Sequence, residues 1–417
     1  MTADLTASQL DTAQPTSVPA LLLRQARMRG RAVALRKKEL GRWKQYTWAD
    51  YAHRVESVAL GLLELGLGAG EVVAIQSDNR PAWVFVDVGA QSVGASVAAV
   101  FPTSPAAELA DLLKTSGAVV LVAEDEEQID KAWAVRDQLP ALRRIVVIDP
   151  RGVRTLDDPM LLTLSDLEGL GRRRKESNGG RDEWVERAAL VDPSSAALVV
   201  CTSQTSVPPQ ATTVSHADLL GAAAIFAGAA GGGAIRPDDE ALSYLPLCHI
   251  AEHLASIVDA LRTGYVVNFG EGGEAVQTDL RDVQPTLFLG PAGVWQAMMA
   301  TVQSRSADAT PLKRSTYRFW MAQGERLAAK RMSGRLGPLD RAVAGCGWLL
   351  LHRSLRDKLG LGRIRVAVAG VTALSPEVLT FFWAMGVPLR EGYGQTEGVA
   401  VASCAVTGDL VMRGTSG

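Results

Sequence analysis

The sequence predicts an α/β protein: two similar α/β subdomains with mostly parallel sheets packed by helices, plus a smaller β-rich region. Three observations carry this. Short apolar runs alternate with longer helix-like ones. The apolar runs are near-continuous, as in strands buried on both faces. One charged, glycine-containing stretch interrupts the alternation, which then resumes.

In chain order, the residues up to about 17 carry scattered polar groups, Asp4 and Asp11 among them, with no apolar segment, and are expected to form a loose tail that is neither signal peptide nor anchor. The first strands are expected at Glu71–Ser77, Gly94–Phe101, Ala118–Glu124 and Arg144–Asp149, with amphipathic helices over Thr47–Leu65 and Pro105–Thr115 between them. The stretch "GLGRRRKESNGGRDEW", Gly169–Trp184, is read as an exposed connection and its basic run as a solvated loop. Strand-like runs return in "AALVVCT", "EALSYLPL", "YVVNFG", "PTLFLG" and "RIRVAVAG". Ser215 is a suitable cap for a helix beginning near Ala217. The expected divisions are a tail at 1–17, a first α/β subdomain at 18–175, a second at 176–398, and the start of a β region at 399–417. The chain is expected to be truncated at Gly417, since it stops in a turn-like string.

Composition narrows the classes of function. With 417 residues, 47% hydrophobic and 21% charged, the chain can bury a large core in two or three domain-sized units. A formal charge of -2 offers no basic field, so a nucleic-acid partner is not expected. Cys201, Cys248, Cys346 and Cys404 form no C-x-x-C pair, which argues against a zinc site and a disulfide framework and fits a reducing cytoplasm. The apolar stretch Ala217–Ile235 consists mostly of Ala and Gly and is broken at Gly231–Gly233, so a buried helix of a soluble protein is expected there rather than a transmembrane span.

The segment "LVVCTSQTSVPPQATTVSH", Leu198–His216, follows a strand and is crowded with Ser and Thr, yet it holds neither Gly nor Lys, and no Walker sequence occurs in the chain. It resembles the phosphate-binding signature of the AMP-forming adenylating enzymes, T-S-G-T-T-G-x-P-K-G-x-x-x-[ST]-H, with Thr202, Ser203, Thr205, Ser206, Pro209, Ser215 and His216 in register. "GYGQTE", Gly392–Glu397, is similar to that family's G-Y-G-x-T-E. "AGVTALSPEVL", Ala369–Leu379, resembles the strand and turn lining its adenine pocket, and "LPLCHIAEH", Leu245–His253, resembles the acyl-pocket segment of its long-chain fatty acyl-CoA ligase branch. "YTWADYAHRV", "AIQSDNRPAW" and "AEDEEQIDKA" look like the same branch's N-terminal half. The likeness runs from about Val18 onward.

The resemblance implies a two-step reaction: a fatty carboxylate attacks the α-phosphate of ATP to give an acyl-adenylate and pyrophosphate, and the thiol of coenzyme A then displaces AMP. It further implies a phosphate loop at Thr202, Ser203, Thr205 and Ser206, an adenine pocket including Gly370 with Tyr393 stacked on the base, Thr396 donating to the α-phosphate, Glu397 holding Mg²⁺, and His249 beside the adenylate. The cofactors implied are ATP, Mg²⁺ and coenzyme A, and the partner a fatty acid. A cytoplasmic location is expected, with a peripheral membrane contact compatible with a lipid substrate. His253 and His352 are read as structural, and Trp295 and Trp320 as core.

The sequence departs from the family pattern at the nucleotide. Gln204, Val207, Gln210 and Ala211 stand at the pattern's two glycines, its lysine and its last glycine. Glycine permits positive φ and close backbone approach, which β-branched Val207 tolerates poorly. Gln210 removes a full charge, and loss of one preorganised donor can cost roughly 10²-fold in rate. Ala369, Val371 and Thr372 replace the Ser, Gly and Ala of the adenine segment's S-G-G-A pattern. The family also continues to a ribose-binding Asp, a hinge and a mobile domain with the adenylation lysine, all beyond Gly417, so a separate chain would be needed to supply them. Two readings follow: a ligase with weak or lost activity, and a non-catalytic acyl-binding descendant.

Overall fold

The computed structural model describes residues 15–153, 157–180, 182–202, 210–229, 235–332, 335–370, 372–394 and 403–404. The chain forms two compact units, Met1–Gly221 with Pro246–Gly264, and Ala222–Leu245 with Tyr265–Gly417. Residues 176–221 thus fall in the first unit.

In the first unit, β1 (Val33–Glu39) and β2 (Arg42–Thr47) make an antiparallel hairpin. The main sheet uses β3 (Val72–Gln76), β4 (Ser96–Val100), β5 (Ala118–Ala123), β6 (Arg144–Val147), β7 (Leu161–Thr163), β8 (Ala196–Thr202) and β9 (Gln210–Ser215), in the order β7-β6-β5-β3-β4-β8-β9. All neighbours are parallel except β8 and β9. The two faces are covered differently. Val72, Ala74, Ala98, Leu121 and Ala123 form one cluster with Leu109, Leu113 and Ile129 of the helices Ala106–Ser116 and Glu126–Val135. The alternate residues Val73, Ile75, Val120 and Val122 are equally buried and, by the two-residue period of a strand, face the other side.

The basic run expected to be a solvated loop is instead the end of a helix, Leu164–Ser177. Local chemistry explains this. Thr163 and Asp166 form a capping box at its start, and Arg174 and Lys175 find carboxylates at Glu183, Glu64 and Glu56. Only the turn after Asn178, with Gly179 and Gly180 both at positive φ, fits the expected connection. This helix lies close against Trp48–Glu64: a Cβ added at Gly171 would sit 1.9 Å from the Ser57 carbonyl oxygen, and one at Gly61 would sit 2.2 Å from that of Leu167.

The second unit contains β10 (Glu240–Ser243), β11 (Val266–Phe269), β12 (Leu287–Pro291), β13 (Val366–Gly370), β14 (Leu389–Tyr393) and β15 (Ser403–Cys404). They run in the order β11-β10-β12-β13-β14-β15, parallel except for the last pair. Trp295 is fully buried, edge-on to Phe288 and Phe382, with its indole N–H donated to the Gly290 carbonyl at 3.2 Å. Its core role is as expected. Arg331 donates to the carbonyls of Trp383 and Ala384, each at 2.8 Å, at the end of the helix Pro376–Ala384. The Ala-rich helix His216–Ala229 buries Leu219, Ala223 and Phe226 but leaves Ile225 exposed, so it is buried along one side rather than throughout. Among the described residues, no helix is long and apolar enough to cross a membrane.

Candidate functional site

The segment resembling a phosphate loop joins β8 to β9. Thr202 and Gln210 are backbone partners in the antiparallel ladder, as are Cys201 and Ala211. Ser203, Thr205 and Ser206 lie outside the described residues, and Thr202 is described only as backbone. After the loop, Ser215 and Asp218 make the cap expected at Ser215: the Asp218 N–H donates to Ser215 Oγ at 3.1 Å, and the Ser215 N–H to Asp218 Oδ2 at 3.0 Å. His216 then turns inward, 1% exposed, its Nδ1 accepting from the Val18 N–H at 3.4 Å. Burial pushes its imidazole down to about 4, so it is neutral.

His249 caps the short helix Ile250–His253, with Nδ1 accepting from the Ala251 N–H at 3.2 Å. The acceptor role of Nδ1 puts the ring proton of the neutral tautomer on Nε2, and burial lowers its basicity. Two anchors hold this segment. Asn79 Oδ1 accepts from the Leu247 N–H at 2.9 Å, and the buried His253 reaches Asp87 at 3.1 Å. The helix continues through a π-helical segment, Leu254–Asp259, where Asp259 is fully buried beside Arg262. Burial pushes its carboxyl up to about 6 despite the arginine.

Between β8 and this segment lies a pocket. Its walls are Ala99 of β4, Val199 and Cys201 of β8, Leu112 of the helix Ala106–Ser116, and Cys248 and Ile250 beside His249. His253 also lines it. The lining is mostly apolar, and burial pushes the Cys248 thiol up to about 12, which leaves that sulfur a neutral wall atom rather than a nucleophile. Its accessible volume is about 50 Å³, room for the end of an apolar group rather than for a whole chain.

In the second unit, the segments resembling the adenine pocket meet at the carboxyl ends of adjacent parallel strands. Ala369 of β13 faces Glu391 of β14, and Gly370 ends β13 opposite Pro291. Ligands of open α/β sheets bind at such strand ends. A Cβ added at Gly370 would meet only the Gly392 carbonyl oxygen, at 3.6 Å. Tyr393 ends β14 and is described as backbone, while Thr396 and Glu397 lie outside the described residues. Among the described residues, no group of three or more His, Cys, Asp or Glu could hold a metal ion.

Several supporting residues escaped the sequence reading. Glu391 is buried and accepts from the Leu374 N–H at 3.0 Å, which ties the turn after Gly370 to β14. Its position directly before "GYGQTE" was the available signal. Asn79 lies within a stretch singled out only for its resemblance. Asp87 carried no signal, sitting in an apolar helix.

The fold and these segments define an adenylating-enzyme architecture. The AMP-binding enzyme family matches residues 22–417, and this chain belongs to it. The long-chain-fatty-acid–CoA ligase ACSBG2 of Xenopus laevis is 26% identical over 400 residues, 94% of this chain and 52% of its own length. The long-chain-fatty-acid–CoA ligase heimdall of Drosophila melanogaster is 26% identical over 368 residues, 85% of this chain and 52% of its own. The chain thus spans about half the length of these curated relatives. Among solved structures, the anthranilate CoA ligase AuaEII in complex with anthranoyl-AMP superposes with a TM-score of 0.69 at 18% identity, covering 96% of this chain and 64% of that one. The long-chain-fatty-acid–CoA ligase FadD1 of Archaeoglobus fulgidus gives 0.64 at 14% identity, covering 94% and 67%.

Proposed function

We propose that this chain binds a long-chain fatty acid and activates it with ATP as an acyl-adenylate, the first half of the route to an acyl-CoA, at a rate reduced by its altered phosphate loop. What supports the reading is the mostly apolar pocket, of about 50 Å³, between β8, which leads into the segment resembling a phosphate loop, and Cys248 and Ile250, which flank His249. The pocket would have to widen to take a fatty tail, whose carboxylate would then lie towards the residues that the family resemblance gives to the phosphates. His249, neutral and with its proton on Nε2, is suited to donate a hydrogen bond to an oxygen there. Gly370 and Tyr393 would hold the adenine, Thr202, Ser203, Thr205 and Ser206 the phosphates, and Thr396 the α-phosphate. Glu397 would hold Mg²⁺, whose positive charge would balance the negative charge growing on the departing pyrophosphate. Coenzyme A is the acceptor the family resemblance implies, and the spacing of the cysteines fits a reducing cytoplasm.

A second reading, an acyl-binding protein without adenylation, is favoured by one feature: Gln204, Val207, Gln210 and Ala211 at the positions of three glycines and a lysine. Both readings require the pocket to take the fatty tail. Calorimetric titration with a long-chain fatty acid, compared with an Ala99→Phe variant that fills the pocket, tests this. Tight binding to the wild type and weakening of about tenfold or more in the variant are expected. Equal binding would place the tail elsewhere and remove the basis of the proposal.

A further inference from the structure

The second unit presents an apolar helix face that nothing among the described residues covers. The helix Pro338–Gly347 continues into a π-helical segment, Trp348–His352. Leu339, Ala342, Val343, Cys346, Leu349 and Leu350 recur along it with the spacing of a single helix face. In a buried helix that stripe would face the core. Here Leu339, Leu349 and Leu350 are 83%, 66% and 60% exposed, and Cys346 is exposed between them. The opposite side of this helix is the one that packs, with Gly347 against Trp320 of the helix Pro311–Met332, so the exposed stripe belongs to a fixed element. That neighbouring helix adds Leu312 and Phe319, 78% and 55% exposed.

The charge around this face is one-sided. Residues 311–359 hold eleven Lys and Arg against Glu325, Asp340 and Asp357, in a chain whose net charge is -2. Arg331 and Arg356 are spent on backbone carbonyls. Arg318, Arg341, Arg353 and Lys358 are exposed, and the Arg353 guanidinium lies over the Trp348 ring at 5.6 Å.

We propose that this face docks the protein on an anionic lipid bilayer, with Leu339, Val343, Leu349 and Leu350 entering the interface and the surrounding arginines meeting the headgroups. An apolar stripe flanked by Lys and Arg is the pattern of a helix lying in the membrane plane, and a Trp with an apolar body and a polar tip suits that depth. A second copy of the chain suits the face less well, because a two-fold contact would set the same cationic surface against itself. The proposal goes beyond the adenylation reading and does not depend on it.

The test is co-sedimentation of the 417-residue chain with vesicles of phosphatidylcholine alone and of phosphatidylcholine with phosphatidylserine. Binding is expected to the phosphatidylserine vesicles and to fall with salt. Leu349→Glu with Leu350→Glu should weaken it about tenfold or more, and so should Arg341→Glu with Arg353→Glu. All four positions are exposed, so the variants should keep the wild-type circular dichroism and melting temperature. An environment-sensitive fluorophore on Cys346 should brighten on vesicle binding. The proposal is overturned by binding indifferent to phosphatidylserine, by binding that survives the leucine substitutions, or by no binding at all. It is equally overturned if those substitutions convert a dimer to a monomer in sedimentation velocity, since the face would then belong to a second copy.

Discussion

His253 Nε2 lies 3.1 Å from Asp87 Oδ2, with the two side chains 2% and 0% exposed. Gln91 Nε2 donates to Asp87 Oδ1 at 2.8 Å, so the carboxyl group has a partner on each oxygen. Trp83 closes the site edge-on to the imidazole. The pair joins the helix Pro81–Ser92 to the segment one turn beyond His249.

The coupling of that pair predicts a large, non-additive loss. Asp87→Ala or His253→Ala should each cost about 3–5 kcal/mol, because the remaining partner is left buried and uncompensated. The double variant should cost much less than the two summed. Urea unfolding of the four proteins measures this; additive costs would mean that the contact contributes little.

Stability should fall with pH for a reason centred on His216. Its folded value is down at about 4 against 6.5 for the free group, so its contribution is complete above pH 6.5 and is lost as pH falls towards 4. His352, also held down at about 4 by burial, acts in the same direction. Asp259 opposes them: its carboxyl is raised to about 6 from 3.8, so its cost to the fold is relieved over the same fall. Comparison with His216→Gln isolates the histidine. The wild type should lose melting temperature relative to the variant between about pH 7 and pH 4.5. A constant difference would show that His216 is not the titrating group.

Gly171→Ala tests the helix contact that replaced the expected loop. Its added methyl would overlap the Ser57 carbonyl, so a loss of about 1–3 kcal/mol is expected despite the gain in helix propensity. Thermal unfolding of Gly169→Ala, whose Cβ would meet only the ends of Arg172 and Arg173, provides the control and should show little loss.

Much of the fold was legible because buried parallel strands are short apolar runs. "AALVVCT" and β8 coincide at Ala196–Thr202, and "AVVLVAE" contains β5. Caps were legible where a hydroxyl precedes Asp by three residues, as at Ser215. The basic run after Gly169 was misread because composition weighs charges as solvent-seeking, whereas Arg174 and Lys175 are paired by Glu64 and Glu56, more than a hundred residues away. The Asp87–His253 pair spans 166 residues and follows no local pattern. For the candidate site, the motifs gave the segments, but not the contacts that hold them: Asn79 meets Leu247 across 168 residues, and Glu391 reaches back to the turn at Leu374.

The altered phosphate loop gives a prediction of its own. Restoring Gln204→Gly, Val207→Gly, Gln210→Lys and Ala211→Gly together should strengthen ATP binding by about tenfold or more, since it returns a charge-assisted contact and the backbone freedom of glycine. Calorimetry showing no gain would move the limitation to Val371 and Thr372 in the adenine segment.

ATP–pyrophosphate exchange on the 417-residue chain and its loop-restored variant, with Mg²⁺ and a panel of fatty acids, tests the central claim most directly, because it reads adenylation without the thioester step. The account predicts exchange that depends on a long-chain fatty acid, slow in the wild type and faster in the variant. Absence of exchange from both proteins, each folded and binding fatty acid, would contradict it and leave an acyl-binding protein on an adenylating-enzyme fold.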